Sequence, residues 1–193
     1  MSKYEVVTRA TDFSRKIIEK YSKNALVAVD ATMGNGHDTL KLAQNLMPNS
    51  KLYAFDIQEE AIEKTREKLI NSDLSCDNYE LICDGHQNLD EYINEAISFA
   101  IFNLGYLPGG DHEKTTKWST TKEAISKVLK KLDGNGLLAI VVYPGHEAGS
   151  EEATGLTSYL SNLDQIDFSV MKLEVINQIN MPPFVYLIER GNQ

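Results

Sequence analysis

One stretch, V-A-V-D-A-T-M-G-N-G-H-D-T over residues 27–39, limits what this chain can fold into. Val27, Ala28 and Val29 are apolar and mostly β-branched, which suits a central parallel strand covered on both faces. Asp30 ends the strand. Gly34 and Gly36 permit a tight turn that can lie against a ligand, and His37 then opens a helix whose free N–H groups favour an anionic or carboxylate-bearing ligand. Strand, glycine turn and helix together describe a nucleotide-type site, although a purely structural turn has the same pattern.

The rest of the chain repeats the alternation. Residues 12–21 place Phe13, Ile17, Ile18 and Tyr21 on one helical face. After the first strand and turn, Leu40, Leu42, Ala43 and Leu46 sustain a helix ended by Pro48 and Asn49. A strand over 51–55 leads to Asp56 and a helix over 57–70, with Ala61, Ile62, Thr65 and Leu69 inward. Next come a strand over 79–83 and a helix over 85–93, then a strand over 97–102 and a glycine- and proline-rich loop over 103–113. A helix over 119–132 and a Gly134-Asn-Gly136 turn lead into a strand over 137–142, followed by a helix over 151–163. Strands over 168–178 and 184–189, joined through Pro182 and Pro183, should be antiparallel neighbours. The expectation is a doubly wound α/β sheet with helices on both faces.

A chain of 193 residues with 42% hydrophobic residues can bury one sizeable core, so one domain over 1–193 is expected, with the helical region 1–23 packed on it. The N-terminus lacks an apolar signal core and no apolar run is long enough to span a bilayer, which implies a cytoplasmic address away from membranes. Cys76 and Cys83 are too few for a disulfide framework and form no C-x-x-C pair, so packing is their expected role. A net charge of -9 argues against a broad basic surface for nucleic acid, though not against a local basic patch.

Asp30, Asp56 and Asp84 all fall at strand ends, with Asn103 after the fourth strand. In an open parallel sheet the C-terminal strand ends form the ligand crevice, so these side chains can converge. Asp56 stands 22 positions after Gly34, close to the spacing at which an acid meets ribose hydroxyls. Asp84 is placed to accept from an adenine amino group, with Gly85 allowing close approach. Each of these acids, taken singly, could equally be a helix N-cap. The histidines show no metal-ligand spacing, so no metal is expected.

A dinucleotide fingerprint wants a third small residue where Thr39 stands. The order Asp30-x-x-x-Gly34-x-Gly36 instead resembles motif I of class I S-adenosylmethionine-dependent methyltransferases, with Thr32 in the first glycine position. D-A-T-M-G-N-G-H-D-T, A-F-D-I-Q, the N-L-G-Y-L-P-G-G-D-H loop and V-Y-P-G-H together resemble the YtqB/MnmM family of rRNA-methylase-like proteins over most of the chain. That resemblance implies a Rossmann-like, seven-stranded, mostly parallel sheet in the order 3-2-1-4-5-7-6. It also implies S-adenosylmethionine as cofactor, S-adenosylhomocysteine as product, and a homodimer acting on the tRNA anticodon stem-loop. The implied reaction methylates the amine of wobble 5-aminomethyl-2-thiouridine. The cofactor would meet Asp30, Thr32, Met33, Gly34, Asn35, Gly36, His37, Asp38 and Thr39 after the first strand. Asp56, Ile57 and Gln58, then Asp84, Gly85 and His86, and finally Asn103 would complete its site.

Methyl transfer from a sulfonium to an amine is an in-line displacement that asks chiefly for positioning of a neutral amine and exclusion of water. Asn103 could accept from that amine together with the Leu104 carbonyl, Tyr106 could stack the flipped base, and Asp111 or His112 could take the proton. Pro108 and Gly109 shape the same loop, while Tyr143 and His146 would face the same crevice. Lys114, Lys117, Trp118 and Lys122 could hold phosphate and stack a base at the mouth, or form a solvated helix start with one packed Trp, with Arg15, Lys16 and Lys20 a second RNA contact. Open alternatives are methylation of rRNA or of a small-molecule or protein amine, a non-catalytic cofactor-binding module, and a nicotinamide dehydrogenase.

Overall fold

The structure, a computed structural model, describes all residues except 1–9, 73, 75–77, 106–114, 146, 180 and 193. Seven strands form one sheet in the order β3-β2-β1-β4-β5-β7-β6, where β1 is Val27–Asp30, β2 Lys51–Asp56, β3 Tyr79–Cys83, β4 Ile97–Asn103, β5 Leu132–Val142, β6 Phe168–Leu173 and β7 Phe184–Arg190. β1 to β5 run parallel, and β7 lies antiparallel between β5 and β6. Five α-helices accompany them: α1 Ala10–Tyr21, α2 His37–Asn45, α3 Glu59–Ile70, α4 Trp118–Lys131 and α5 Glu147–Ser161.

The strand period of two divides the apolar residues between two faces. Val27, Val29, Phe55, Phe102, Leu138 and Ile140 join a core with Ile125 and Val128 of α4 and Leu156 of α5. Ala28, Leu52, Phe99, Ile101, Ala139 and Val141 join the other core with Ile17 and Ile18 of α1 and Leu42 of α2. Met33, Ala54 and Ile62 make a smaller cluster beneath α3. Because both faces are covered, β1 and the middle of β4 are buried residue after residue, which is why they read as continuous apolar runs.

Four features depart from the sequence expectation. β5 begins at Leu132 rather than 137, and the Gly134-Asn-Gly136 segment is an irregularity inside it: Ile97 pairs with Leu132 but Phe99 with Leu137. Asn135 there has φ 64, and a Cβ on Gly136 would stand 2.8 Å from the Asp133 carbonyl oxygen, so the bulge needs its glycine. The expected helix over 85–93 is a 310 helix, His86–Glu91, closed by Asp84 and Tyr92 rather than by regular α-helical pairing. β6 stops at Leu173 because it has only β7 to pair with, and β7 begins at Phe184; the last paired couple is Leu173 with Val185. Tyr21, expected inward, is 49% exposed at the end of α1, with the Lys20 ammonium 4.9 Å from its ring centroid. The remaining helices shift by a few residues at their ends, as helix termini commonly do.

Phe99 is fully buried at the centre of β4. Truncating it (Phe99→Ala) should lower unfolding free energy by about 3–5 kcal/mol, read as a drop in the urea midpoint at unchanged slope.

Candidate functional site

The carboxyl ends of β1, β2, β3 and β4 open on one cavity of about 790 Å3, the crevice that parallel topology creates. Its floor is the turn after β1. Asp30 is fully buried and does not line the cavity; it accepts from the Thr39 hydroxyl at 2.6 Å and the Thr32 N–H at 3.2 Å. Burial, and then the neighbouring Asp38 carboxylate, raise its pKa to about 7. Thr39, also fully buried, ties α2 back to β1 through Asp30 and likewise does not face the cavity. Gly36 has φ 72 and no place in the lining; a Cβ there would run into the Thr65 side chain of α3, so this glycine serves helix packing. Asp30, Gly36 and Thr39 thus stand outside the lining and brace the turn. Thr32, Met33, Gly34, Asn35, His37 and Asp38 do line the cavity.

Asp56 at the end of β2 faces the same space. One carboxylate oxygen accepts the Gly34 N–H at 2.9 Å and the other the Gln58 N–H at 2.9 Å, which fixes the side chain while leaving lone pairs on both oxygens. Burial raises its pKa, and these backbone hydrogen bonds oppose the rise. Asp84 after β3 accepts from its own loop: the Gly85 N–H at 2.7 Å, the Asn88 amide at 3.0 and 3.1 Å and the Tyr92 hydroxyl at 3.0 Å. Desolvation pushes its pKa up, but those donors outweigh it and hold the carboxyl below the usual range. It both holds the 310 segment through Asn88 and Tyr92 and forms a cavity wall, together with Gly85 and His86.

His86 shows the sharpest sign of a missing partner. Its Nδ1 lies 3.1 Å from the Ala31 carbonyl, which can only accept, so Nδ1 carries the proton and Nε2 is a bare acceptor. Burial keeps the ring neutral, and its buried Nε2 has no hydrogen-bond partner among the described residues. The Thr115 hydroxyl in the same lining is also buried without one. An adenosine-bearing ligand, rich in hydroxyl and amine donors, fits this lining: an acid for ribose at β2, an acid and bare imidazole at β3, and apolar Phe55 and Ile57 beside them.

At the other end, Asn103 closes β4. Its amide donates to Asp38 at 2.6 Å, which leaves the amide oxygen as an acceptor, while its backbone N–H donates to the Thr32 hydroxyl at 2.6 Å. Tyr143, after β5, is a neighbour in the lining; burial and then the Asp38 charge push its hydroxyl pKa up to about 12, so it stays protonated. Beyond Gly105 the stems of the long loop are stapled. The Thr116 N–H donates to the Gly105 carbonyl, the Gly105 N–H to the Thr116 hydroxyl, and that hydroxyl to the buried Glu152 at 2.6 Å. Tyr106, Pro108, Gly109, Asp111, His112, Lys114 and His146 lie outside the described residues.

Lys117 lines the cavity, but Trp118 does not. The Trp118 ring packs over Gly155 and meets Tyr159 edge to face at 6.3 Å, because position 118 on α4 faces α5. It packs between two helices, outside the lining of the cavity. Conversely, Arg15 of α1 and Gln87 and Thr120 belong to the lining, and sequence reasoning gave none of them a cofactor role. The signal for Arg15 was its place on the polar face of an amphipathic helix, which does not say what that face meets. Among the described residues no cluster of metal-ligating side chains occurs, and no helix is long and apolar enough to cross a membrane.

A sheet ordered 3-2-1-4-5-7-6 with one antiparallel strand, a glycine turn after β1 and acids at the ends of β2 and β3 make this an S-adenosylmethionine-dependent methyltransferase of class I. A crystal structure of a "putative methyltransferase" from Streptococcus mutans, solved with SAH, superposes with TM-score 0.85 at 42% identity, covering 96% of this chain and 99% of that one. The chain belongs to the family described as "Putative rRNA methylase", which matches residues 52–189. The rRNA-methylase structure from Clostridium thermocellum is 39% identical with TM-score 0.92, covering 96% of this chain and all of that one. A chloroplastic tRNA (mnm5s2U34)-methyltransferase from Arabidopsis thaliana is 32% identical over 195 residues, or 95% of this chain and 70% of the relative.

Asp30 is protonated in the fold at pH values where the unfolded chain has released the proton. Its folded pKa lies above the unfolded one, so the stability it contributes is greatest below about pH 4 and is lost as pH rises toward 7. In thermal melts, Asp30→Asn should remove that slope, so the stability difference, variant minus wild type, grows in the variant's favour between pH 4 and pH 7.

Proposed function

We propose that this protein methylates the amine of 5-aminomethyl-2-thiouridine at the wobble position of tRNA, acting as a single domain and needing no metal. The observation that carries an amine acceptor is the Asn103–Asp38 pair: the amide is fixed by its own donation, and its oxygen is free to accept an N–H from a neutral amine. The nucleoside is supported by the Arabidopsis relative, whose name specifies U34 of tRNA.

In this mechanism the cofactor, when bound, supplies a methyl group on a sulfonium. The protein supplies position. Asp56 would hold the ribose hydroxyls, with its oxygens pre-set by Gly34 and Gln58. Asp84 and His86 would receive donors of the adenine, and the Asn103 oxygen would orient the attacking amine in line with the methyl group. An aminomethyl group is mostly protonated at neutral pH, so a base must free its lone pair; Asp111, His112 and His146 are the candidates on the loops beyond Gly105 and Gly145. Lys117 at the cavity wall would meet a phosphate, so binding of RNA should weaken with salt.

The test is mass spectrometry of nucleosides from tRNA of a strain lacking the protein, before and after adding back purified protein with S-adenosylmethionine. Accumulated 5-aminomethyl-2-thiouridine that gains one methyl group on add-back is the expected result. Unchanged tRNA nucleosides, with S-adenosylhomocysteine still bound in calorimetry, would overturn the tRNA substrate and turn attention to rRNA or small amines. Asp56→Ala should weaken S-adenosylhomocysteine binding by about tenfold or more, the value of one charged hydrogen-bonding pair. Asn103→Ala should instead retain cofactor binding and lower single-turnover methyl transfer by about 100-fold.

A further inference from the structure

We propose that Arg15 anchors the α-carboxylate of the S-adenosylmethionine amino-acid group while Asp38 receives its α-ammonium, so that helix α1 completes the cofactor site. The inference rests on the methyltransferase function of this cavity.

The packing of α1 beside α2 places the two residues together. The Asn45 amide donates to the Ile18 carbonyl at 3.1 Å and to the Ser22 hydroxyl at 2.8 Å, and Lys41 pairs with Glu19 at 2.5 Å. The two helices therefore keep step, position 22 beside 45 and 19 beside 41. One turn further toward both N-termini, Arg15 arrives beside His37 and Asp38, and all three line the cavity. Their charges feel one another: Arg15 lowers the pKa of Asp38 against the rise caused by burial, and it acts on His37 and Tyr143 as well.

An amino-acid group carries a carboxylate and an ammonium on one carbon, so its site needs a cation and an anion side by side. Arg15 and Asp38 supply that pair. The guanidinium is spent on little else: Asp12, its ion-pair partner, is 3.9 Å away, and both side chains are substantially exposed. Asp38 gives one oxygen to the Asn103 amide and keeps the other for a ligand. The first turn of α2 has no side-chain cap, so its N–H groups add to the attraction for the carboxylate. A side chain committed to distant RNA phosphate would have no reason to form part of this cavity wall.

Calorimetry with two ligands separates the possibilities. S-adenosylhomocysteine carries the amino-acid group, and 5′-methylthioadenosine has the same nucleoside and a thioether without it. Arg15→Gln should weaken S-adenosylhomocysteine by about tenfold or more, as expected for a charge-assisted pair, and leave 5′-methylthioadenosine unchanged; Arg15→Lys should recover part of the loss. Unchanged 5′-methylthioadenosine binding also shows that the variant is folded. Equal loss for both ligands, or no loss for S-adenosylhomocysteine, overturns the proposal, and so does an Arg15→Gln variant that loses affinity only for tRNA. Wild-type protein that binds neither ligand overturns the cofactor assignment itself.

Discussion

Asp30 is sealed from solvent, and both of its carboxyl oxygens are used to hold the chain where it leaves β1 and enters α2. The Thr32 N–H fixes the turn and the Thr39 hydroxyl fixes the helix, so one side chain sets the angle between strand and helix. The rest of the cavity follows from that angle. Met33 N–H reaches the Phe55 carbonyl, Gly34 N–H reaches Asp56, and the Thr32 hydroxyl receives the Asn103 N–H. The β1 turn is thereby bonded to the ends of both neighbouring strands. Burial pushes the ionisation of this carboxyl up to about pH 7, because a full charge at the same place carries a heavy desolvation cost.

The two ends of the cavity have different chemical characters. Around β2 and β3, acids held by backbone and side-chain donors stand beside a neutral imidazole and apolar Phe55, a lining for a nucleoside. Around β1, α1 and β4, Asp38, Arg15, Asn103 and Tyr143 form a charged and hydrogen-bonding end. In methyl transfer from a sulfonium the walls around the cofactor act chiefly by position, whichever group frees the acceptor's lone pair. The transfer needs geometry, and the interlocked hydrogen bonds of the β1 turn and the Glu152–Thr116–Gly105 relay provide it.

Much of this was legible in the sequence because the relevant signals are local. The valines of β1, the glycine turn, the acids closing β2 and β3 and Asn103 closing β4 each follow from strand period and turn chemistry within a few residues. The same locality explains the errors. The Gly134-Asn-Gly136 segment reads as a turn, but its neighbour β4 pairs on both sides of it and makes it a bulge. Trp118 beside lysines reads equally as a base-stacking or a packed aromatic, and only the approach of Gly155 on α5 shows where its ring lies.

The sequence by itself determined the alternation of strands and helices, the glycine turn after β1 and which residue types stand at the strand ends, because periodicity and backbone propensity act over short spans. Only the tertiary structure decided which acids face the cavity. Asp30, Asp56 and Asp84 look alike as strand-ending aspartates, yet Asp30 is buried beneath the turn and the other two line the cavity. It also brought Arg15 to the cavity wall and gave His86 its bare nitrogen. Those outcomes depend on helix packing and on carbonyls distant in the chain, such as Ala31 for His86, which no local pattern encodes.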